Sequence, residues 1–397
     1  MHIPYWIKDK GRERPYLNPI TVKLSSQKVF NEKAKQDYFG QAPNIFVGRF
    51  GYPNINVGIL SSEEYNNNDN IPLWAKEKYS ISKIIDLRTN LINSSFKTQI
   101  KHSKNKWLEI SQEIAMASKP TDVEINLTKK PSFSLTSHQT ETPHGPNTQL
   151  KKAQLTENPK IPTKVDKIVS DIDLKAANAL ETLSEKGFDS HYLTKLLTAG
   201  TLGVKLQRTL VPTRWGITSV HSIIANKLVR EIKDFSIGEY QSYFGGYLGN
   251  YYLILMFPDV WQYELFETII CENSPFARNY EPYGGRKKYA KETAGGFYSV
   301  KLGCLERLKN MKRQTSVLAL RFIDPREYVA PLGVWVTLTA TRNAVNSKPL
   351  TFSSHELLLT YVKKFIRKKF NLDFNKILKN SKLLDNLTSQ KKLNNFI

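Results

Sequence analysis

The sequence contains few cysteines and few acidic residues, and it has no long apolar run. Its 397 residues include two cysteines, Cys271 and Cys304, too few for a disulfide framework or a four-cysteine zinc site. We expect both to be buried, reduced thiols, as is usual in the cytoplasm. No apolar stretch reaches the roughly 18 residues that cross a bilayer, and the N-terminus lacks a signal-peptide pattern. These absences predict a cytoplasmic protein with no membrane partner and no cysteine-held zinc.

The charge of the chain is strongly one-sided. Lysine and arginine number 58 and aspartate and glutamate 36, which leaves a formal net charge of +22. Such an excess attracts polyanions, and nucleic acid is the usual one. The alternative is a generally basic proteome, in which a basic surface carries no function. The charge therefore predicts DNA as a partner without identifying the site that binds it.

Helical and strand patterns mix along the chain without regular βα alternation, which predicts an α+β fold. Apolar runs at residues 295–300 and 333–338 predict two of the strands. Changes in composition divide the chain into six segments: an extended basic arm (1–43), an N-terminal folded region (44–117), a long irregular connection (118–164), a C-terminal α+β domain (165–345), a basic helical tail (346–389) and a docking peptide (390–397).

In the basic tail, apolar residues recur at helical spacing after His355, and cations fill the opposite face of the helix. The cations singled out as candidate nucleic-acid ligands are Lys363, Lys364, Arg367 and Lys368. In one interpretation they contact DNA phosphates, and in the other they form a solvated surface.

The last eight residues have the spacing of a docking peptide. In a single 3₁₀ turn, Leu393 and Phe396 lie on one side and form a two-pronged apolar plug beside the amide of Gln390. This pattern resembles the PCNA-interacting peptide, by which replication and repair proteins bind the sliding clamp. The resemblance implies clamp contacts for these three residues and for Ile397, which stands where a second aromatic is usual and so lowers the expected affinity. The polar residues 388–389 are expected to form a flexible tether.

The body of the chain contains six short blocks that carry a second resemblance: residues 46–53, 120–124, 210–215, 246–250, 295–298 and 330–335. Together these blocks resemble the archaeal Nre family of DNA repair proteins, which includes clamp-binding members. The resemblance covers about residues 44–345, and it implies a repair function with the sliding clamp (PCNA) and DNA as partners. Many members begin with a cysteine-rich, zinc-binding segment, but this chain has no cysteine before Cys271.

Two of the blocks combine a cation with an aromatic ring. Arg214 would offer its guanidinium to a phosphate while Trp215 stacks on a base. In the alternative, Trp215 is a core residue and Arg214 pairs with a buried carboxylate. Arg49 and Tyr52 lie beside glycines, which serve either a close approach to a ligand or a tight turn.

Carboxylates are the candidate catalytic groups. Asp122 and Glu124 are two residues apart, which places both on one face of a strand, as a metal-dependent nuclease requires. Glu264 and His144 are further candidates. A nuclease would need a divalent metal; otherwise no cofactor is predicted, and no residue is assigned as a metal ligand. Since no P-loop, dinucleotide fingerprint, HExxH or nucleophile elbow is present, the sequence does not decide whether the protein is an enzyme.

Three functions remain open. In the leading one, the protein is a DNA repair factor recruited by the sliding clamp, with a basic body that binds or processes damaged DNA. The second is a metal-dependent nuclease or nucleotide-processing enzyme. The third is a non-catalytic adaptor between the clamp and other repair factors.

Overall fold

The computed structural model describes residues 34–101, 105–132, 144–271 and 275–389. These residues form two compact units, which we call the barrel unit (up to Ile224) and the sheet unit (from Ala225). The boundary falls inside the predicted segment 165–345. Helices and strands occur in both units, which confirms the predicted α+β class. No helix in the described part of the chain has the length and apolarity needed to cross a membrane.

The barrel unit contains five strands: β1 (Asp37–Val47), β2 (Asn54–Ser62), β3 (Ile92–Gln99), β4 (Thr121–Leu127) and β5 (Asn147–Leu155). They close into a barrel in the order β1-β2-β3-β5-β4, with β4 paired to β1. All neighbouring pairs are antiparallel except β3 and β5, which are parallel. Alternate residues such as Val57, Ile59 and Ile125 are buried inside, so the barrel encloses a packed core.

The helices that begin in the barrel unit are α1 (Ile71–Lys76), α2 (Ile81–Thr89), α3 (Lys106–Met116), α4 (Thr163–Ser170), α5 (Ala176–Glu185), α6 (Ser190–Thr198) and α7 (Thr213–Ile232), with a 3₁₀ turn at Lys205–Gln207. Helix α3 connects β3 to β4 and buries Leu108, Ile110 and Ile114 in the barrel core. It begins after Asn105, whose side-chain oxygen accepts a hydrogen bond from the main-chain nitrogen of Trp107 at 2.9 Å and so caps the helix.

The structure corrects two predictions for this unit. The segment 118–164, predicted to be irregular, contains β4 and β5. β4 alternates buried and partly exposed residues along its whole length, a pattern typical of a strand with one face in the core, but the surrounding Thr, Pro and Ser obscured it. β1 begins at Asp37, inside the segment 1–43 that was predicted to be an extended arm.

The sheet unit contains six strands: β6 (Tyr240–Tyr247), β7 (Asn250–Phe257), β8 (Tyr263–Ile269), β9 (Phe276–Glu281), β10 (Ser316–Ile323) and β11 (Leu350–Phe352). Their order is β11-β6-β7-β10-β8-β9. Only β10 and β8 pair in parallel among these neighbours. β7 is buried along almost its full length, which indicates that both faces of the sheet are covered.

The helices of the sheet unit are α8 (Ala294–Met311), α9 (Val334–Val345), α10 (His355–Phe370), α11 (Asn375–Leu378) and α12 (Lys382–Ser389). Helices α8 and α9 pack together, and α9 lies against β6 and β7. The approach is close, since a Cβ at Gly245 would lie 2.7 Å from the Cα of Ala344. Helix α10 contributes Leu358, Val362 and Ile366 to a separate core cluster with alternate residues of β7.

The predicted strands at residues 295–300 and 333–338 are wrong, because these residues belong to α8 and α9. Both helices are buried on most sides, and a short, continuously apolar run does not distinguish a buried helix from a buried strand. Cys304 lies in α8, where burial raises the pKa of its thiol. Cys304 is buried as predicted, whereas Cys271 is only partly buried, and both are free thiols.

Candidate nucleic-acid interface

Residues 48–53 form the turn between β1 and β2. The main-chain nitrogen of Asn54 donates a hydrogen bond of 2.8 Å to the carbonyl oxygen of Gly51. Gly51 has a φ of +79°, and a Cβ there would lie 2.6 Å from the carbonyl oxygen of Asn54. Only glycine adopts this conformation without strain. The tight-turn interpretation of this glycine is therefore correct.

The same turn holds two aromatic side chains in solvent. Phe50 is 74% exposed and Tyr52 is 51% exposed. The guanidinium carbon of Arg49 lies 4.8 Å from the centre of the Phe50 ring, a cation–π distance. The turn therefore presents a cation and two rings together.

The start of α7 is attached to the end of β1 beside this turn. The main-chain nitrogen of Val47 donates a hydrogen bond of 2.9 Å to the hydroxyl oxygen of Thr213. The rings of Tyr52 and Trp215 then meet with centroids 5.5 Å apart and planes inclined by 50°. Trp215 is 45% exposed, so the interpretation of Trp215 as a core residue is wrong. Arg214, the preceding residue, is also exposed.

Four of the predicted nucleic-acid ligands thus lie in two blocks that the fold joins. We call Arg49, Phe50, Tyr52, Arg214 and Trp215 the aromatic surface. Phe50 is the member of this surface that was not among the predicted ligands. Phe50 lies between Arg49 and Gly51 in a turn, and a turn offers no strand or helix face in which a ring can be buried. The neighbouring glycines were therefore the signal that predicted its exposure.

Asp122 and Glu124 lie on β4 with their side chains on the outer face of the barrel, as the two-residue spacing predicts. Each has a partner of its own. The Gln41 amide donates a hydrogen bond of 2.8 Å to Asp122, and the Lys152 ammonium lies 3.9 Å from the Glu124 carboxylate. Within the described residues, no three His, Cys, Asp or Glu side chains form a group able to hold a metal ion.

The other two catalytic candidates, Glu264 and His144, have contacts of their own with other residues. Glu264 lies inside β8, and its side chain is fully buried. One carboxylate oxygen accepts hydrogen bonds from the Ser381 hydroxyl at 2.6 Å and from the Leu383 main-chain nitrogen at 3.0 Å. This buried carboxylate caps α12, which gives Glu264 a structural role, and its assignment as a catalytic candidate stays a prediction. His144 is exposed, with Nδ1 2.8 Å from the carbonyl oxygen of Gly145.

Comparison with known proteins places the chain in a family. Residues 14–276 match the family model described as archaeal Nre, N-terminal, and residues 281–396 match archaeal Nre, C-terminal. The chain belongs to the archaeal Nre family. The resemblance seen in the six sequence blocks is therefore confirmed.

Curated Nre relatives share most of the chain. DNA repair protein NreA of Haloferax volcanii is 35% identical over 339 residues, which are 80% of each chain. DNA repair protein NreA of Archaeoglobus fulgidus is 36% identical over 340 residues, 82% of this chain and 84% of its own. DNA repair protein NreB of the same organism is 29% identical over 365 residues. No solved structure matches this Nre chain.

The basic helix of the Nre C-terminal region, α10, has the two faces that the sequence predicts. Leu358, Val362, Ile366 and Phe370 are buried. The four candidate phosphate ligands are all exposed: Lys363, Lys364, Arg367 and Lys368. The fold therefore leaves both interpretations of this helix open, a phosphate-contacting strip and a solvated face.

The predicted clamp ligands Gln390, Leu393, Phe396 and Ile397 lie outside the described residues. The expected tether before them is wrong. Residues 388–389 end helix α12, and their hydroxyl groups donate hydrogen bonds to the carbonyl oxygens of Leu384 and Asp385.

Proposed function

We propose that this Nre-family chain is a DNA repair protein whose basic, aromatic surface binds DNA and whose last eight residues dock on the sliding clamp. The observation that carries the DNA-binding part is the contact of Tyr52 with Trp215. It joins two separate sequence blocks into one exposed surface with Arg49 and Arg214 beside it. Exposed rings next to cations are the usual components of a nucleic-acid site.

Three further facts support this function. The curated relatives are named DNA repair proteins. The net charge of +22 favours a polyanionic partner. The match to the C-terminal family model extends to residue 396, so it covers the docking peptide except for its last residue, Ile397. Acting on chromosomal DNA, the protein would work in the archaeal cytoplasm.

Salt dependence tests the DNA-binding part of the proposal. The full-length chain is titrated with a fluorescently labelled DNA at several salt concentrations. Counterion release should make the logarithm of the binding constant fall linearly with the logarithm of the salt concentration, with a slope of about −0.9 per neutralised phosphate of duplex DNA. A chain that binds no DNA at any salt concentration would instead act as an adaptor.

Calorimetry with the purified clamp tests the docking part. We expect a dissociation constant of about 1 μM, or about −8 kcal/mol, as is typical of a short peptide in a groove. Changing Leu393→Ala and Phe396→Ala together should abolish binding because both apolar prongs are lost. Changing Lys391→Ala and Lys392→Ala is the matched control and should retain it. Undiminished clamp binding by the Leu393 and Phe396 variant would refute the role of the peptide.

A further inference from the structure

The connectivity of the barrel unit is that of a known single-strand-binding architecture. The order is β1-β2-β3-β5-β4, β3 and β5 are parallel, and α3 lies between β3 and β4. This is the arrangement of the oligonucleotide/oligosaccharide-binding fold, the OB-fold. OB-folds bind their ligands across strands 2 and 3 and against the loops that join strands 1 to 2 and 4 to 5.

The aromatic surface lies at that position of the barrel. Arg49, Phe50 and Tyr52 are in the loop between β1 and β2. Trp215 is held there through a chain of main-chain hydrogen bonds around the rim. The main-chain nitrogen of Leu210 donates a hydrogen bond of 2.9 Å to the carbonyl oxygen of Ile100. The main-chain nitrogen of Ile100 in turn donates one of 3.0 Å to the carbonyl oxygen of Pro53. The rim at the β1–β2 loop therefore carries every ring of the aromatic surface.

The adjoining outer face of the barrel continues this surface. Paired residues of antiparallel strands lie side by side on one face. Phe46 of β1 pairs with Gly58 of β2, which pairs with Ser95 of β3. In the neighbouring row, Asn56 pairs with Lys97, and both are exposed. Phe46 itself is 43% exposed, so the face offers a further ring and a cation next to small polar groups.

Charge separates this face from the other side of the barrel. β2 and β3 contain no aspartate or glutamate. β4, on the far side of the strand order, places Asp122 and Glu124 on the outer surface. Lys97 therefore attracts a polyanion to the face of β2 and β3, where no carboxylate opposes it, whereas the two carboxylates of β4 disfavour a polyanion there. This polarity favours a nucleic acid over the neutral oligosaccharides that other OB-folds bind.

The exposed rings favour a single strand over a duplex. Base stacking on a protein ring requires an unpaired base, because bases within a duplex already stack on one another. Phe50 and Tyr52 lie in the β1–β2 loop, Trp215 lies in the first turn of α7, and Phe46 lies on a strand face. All four rings are at least partly exposed, so they are positioned for splayed bases. A duplex would contact only the cations.

We propose that the barrel unit is an OB-fold that binds single-stranded DNA across the outer face of β2 and β3, with Tyr52 and Trp215 stacking on bases at the β1–β2 end. Repair exposes such strands, so the choice of DNA rests on the function proposed above. The cations Arg49, Arg214 and Lys97 bind the backbone.

Fluorescence anisotropy of the full-length chain tests the proposal. The probes are a labelled oligothymidine of about 16 nucleotides, the upper end of OB-fold site sizes, its duplex with oligoadenine, and the corresponding oligouridine. At about 0.15 M salt, we expect the DNA single strand to bind at least about tenfold tighter than the duplex, since it alone gains the stacking contacts. Equal or tighter binding of the duplex would overturn the proposal, and tighter binding of oligouridine would overturn the choice of DNA.

Variants then locate the site. Tyr52→Ala and Trp215→Ala should each weaken single-strand binding by about tenfold, without changing duplex binding. Trp215→Phe keeps a ring and should restore most of the affinity, which separates stacking from a loss of folding. The matched control is Phe39→Ala. Phe39 is 70% exposed on β1 but pairs with Glu124 of β4, on the acidic side, so its loss should have no effect.

The outcomes separate the two proposals. A chain that binds duplex and single strand equally, with a steep salt dependence and no effect of Tyr52→Ala or Trp215→Ala, binds DNA but not through an OB-fold stacking site. In that case the inference fails and the proposed function stands. A chain that binds none of the probes contradicts the proposed DNA binding itself.

Discussion

The carboxylate of Glu264 accepts a hydrogen bond of 2.6 Å from the hydroxyl group of Ser381, although the two residues lie 117 positions apart in the sequence. The same carboxylate accepts hydrogen bonds from the main-chain nitrogens of Lys382 and Leu383. Burial raises the pKa of Glu264, although these hydrogen bonds and the nearby Arg278 oppose the shift. A side chain of the sheet thus caps α12. The Ser381 hydroxyl completes the cap, since it accepts a hydrogen bond of 3.2 Å from the main-chain nitrogen of Leu384.

Replacement of this cap should loosen α12. In Glu264→Gln, the amide nitrogen of the new side chain faces main-chain N–H groups that need an acceptor. We expect a loss of about 2 kcal/mol in the free energy of unfolding, the usual contribution of hydrogen bonds to a charged group. Hydrogen exchange should rise first in residues 382–389.

Glu124→Gln is the matched control for Glu264→Gln. The Glu124 side chain lies on the outer face of β4, and its carboxylate is 3.9 Å from the Lys152 ammonium, a long ion-pair distance. We expect a change within about 0.5 kcal/mol, as for most surface substitutions. Unchanged exchange of α12 in Glu264→Gln would show that the cap contributes nothing.

A second buried carboxylate, Asp69, should give the barrel unit a pH dependence. Its Oδ2 lies 3.1 Å from Nε2 of His191 and accepts a hydrogen bond of 2.6 Å from Asn44. Burial by itself would raise the pKa of Asp69, but His191, Arg88 and Asn44 outweigh it and hold the pKa below the ordinary value. The ionised form is therefore the one that stabilises the fold.

The sign of this dependence follows from the lowered pKa. Ionised Asp69 stabilises the fold above the unfolded-state pKa of about 3.9, and the contribution is lost as the pH falls below that value. Asp69→Asn should cost about 2 kcal/mol at neutral pH, and the difference from the wild type should shrink below about pH 4. Urea unfolding across this range measures it. A difference that stays constant with pH would exclude Asp69 as the titrating group.

The basic face of α10 can be tested for phosphate contacts. Lys363, Lys364, Arg367 and Lys368 are changed together to glutamine, which leaves the buried face of the helix intact. If all four contact phosphates, the slope of log binding constant against log salt for duplex DNA should become less negative by about 3.6, or about 0.9 for each contact. An unchanged slope would assign the face to solvent. The thermal midpoint should stay nearly constant in either case.

Local sequence chemistry was sufficient to predict part of the candidate site. Glycines next to Arg49 and Tyr52 left a tight turn as one of two interpretations, and the structure shows that turn. The contact of Tyr52 with Trp215 was not predictable, because it depends on the pairing of segments more than 150 residues apart. The period of a segment reports its own secondary structure and not the distant segment that it packs against.

The same limit explains why the capping role of Glu264 was not predicted. In the sequence Glu264 follows an aromatic stretch and resembles a catalytic acid, whereas its role depends on a serine in the last helix. The strand predictions at residues 295–300 and 333–338 were wrong for a different reason. Where both faces of an element are buried, the period that separates helix from strand disappears. By contrast, α10 has one solvent face, and its pattern predicted it correctly.

The cap on α12 bears on how far a docked clamp is free to move. The helix begins at a carboxylate fixed in β8 and ends at Ser389, directly before the proposed docking peptide. A clamp bound to the docking peptide would therefore stay close to the sheet unit. The effective concentration of a tethered partner falls as the linker grows longer. Here the docking peptide follows α12 directly, so the local concentration of clamp-bound DNA would depend on the fold of the sheet unit. Loosening α12, as in Glu264→Gln, would then change the clamp's reach without altering a single clamp contact.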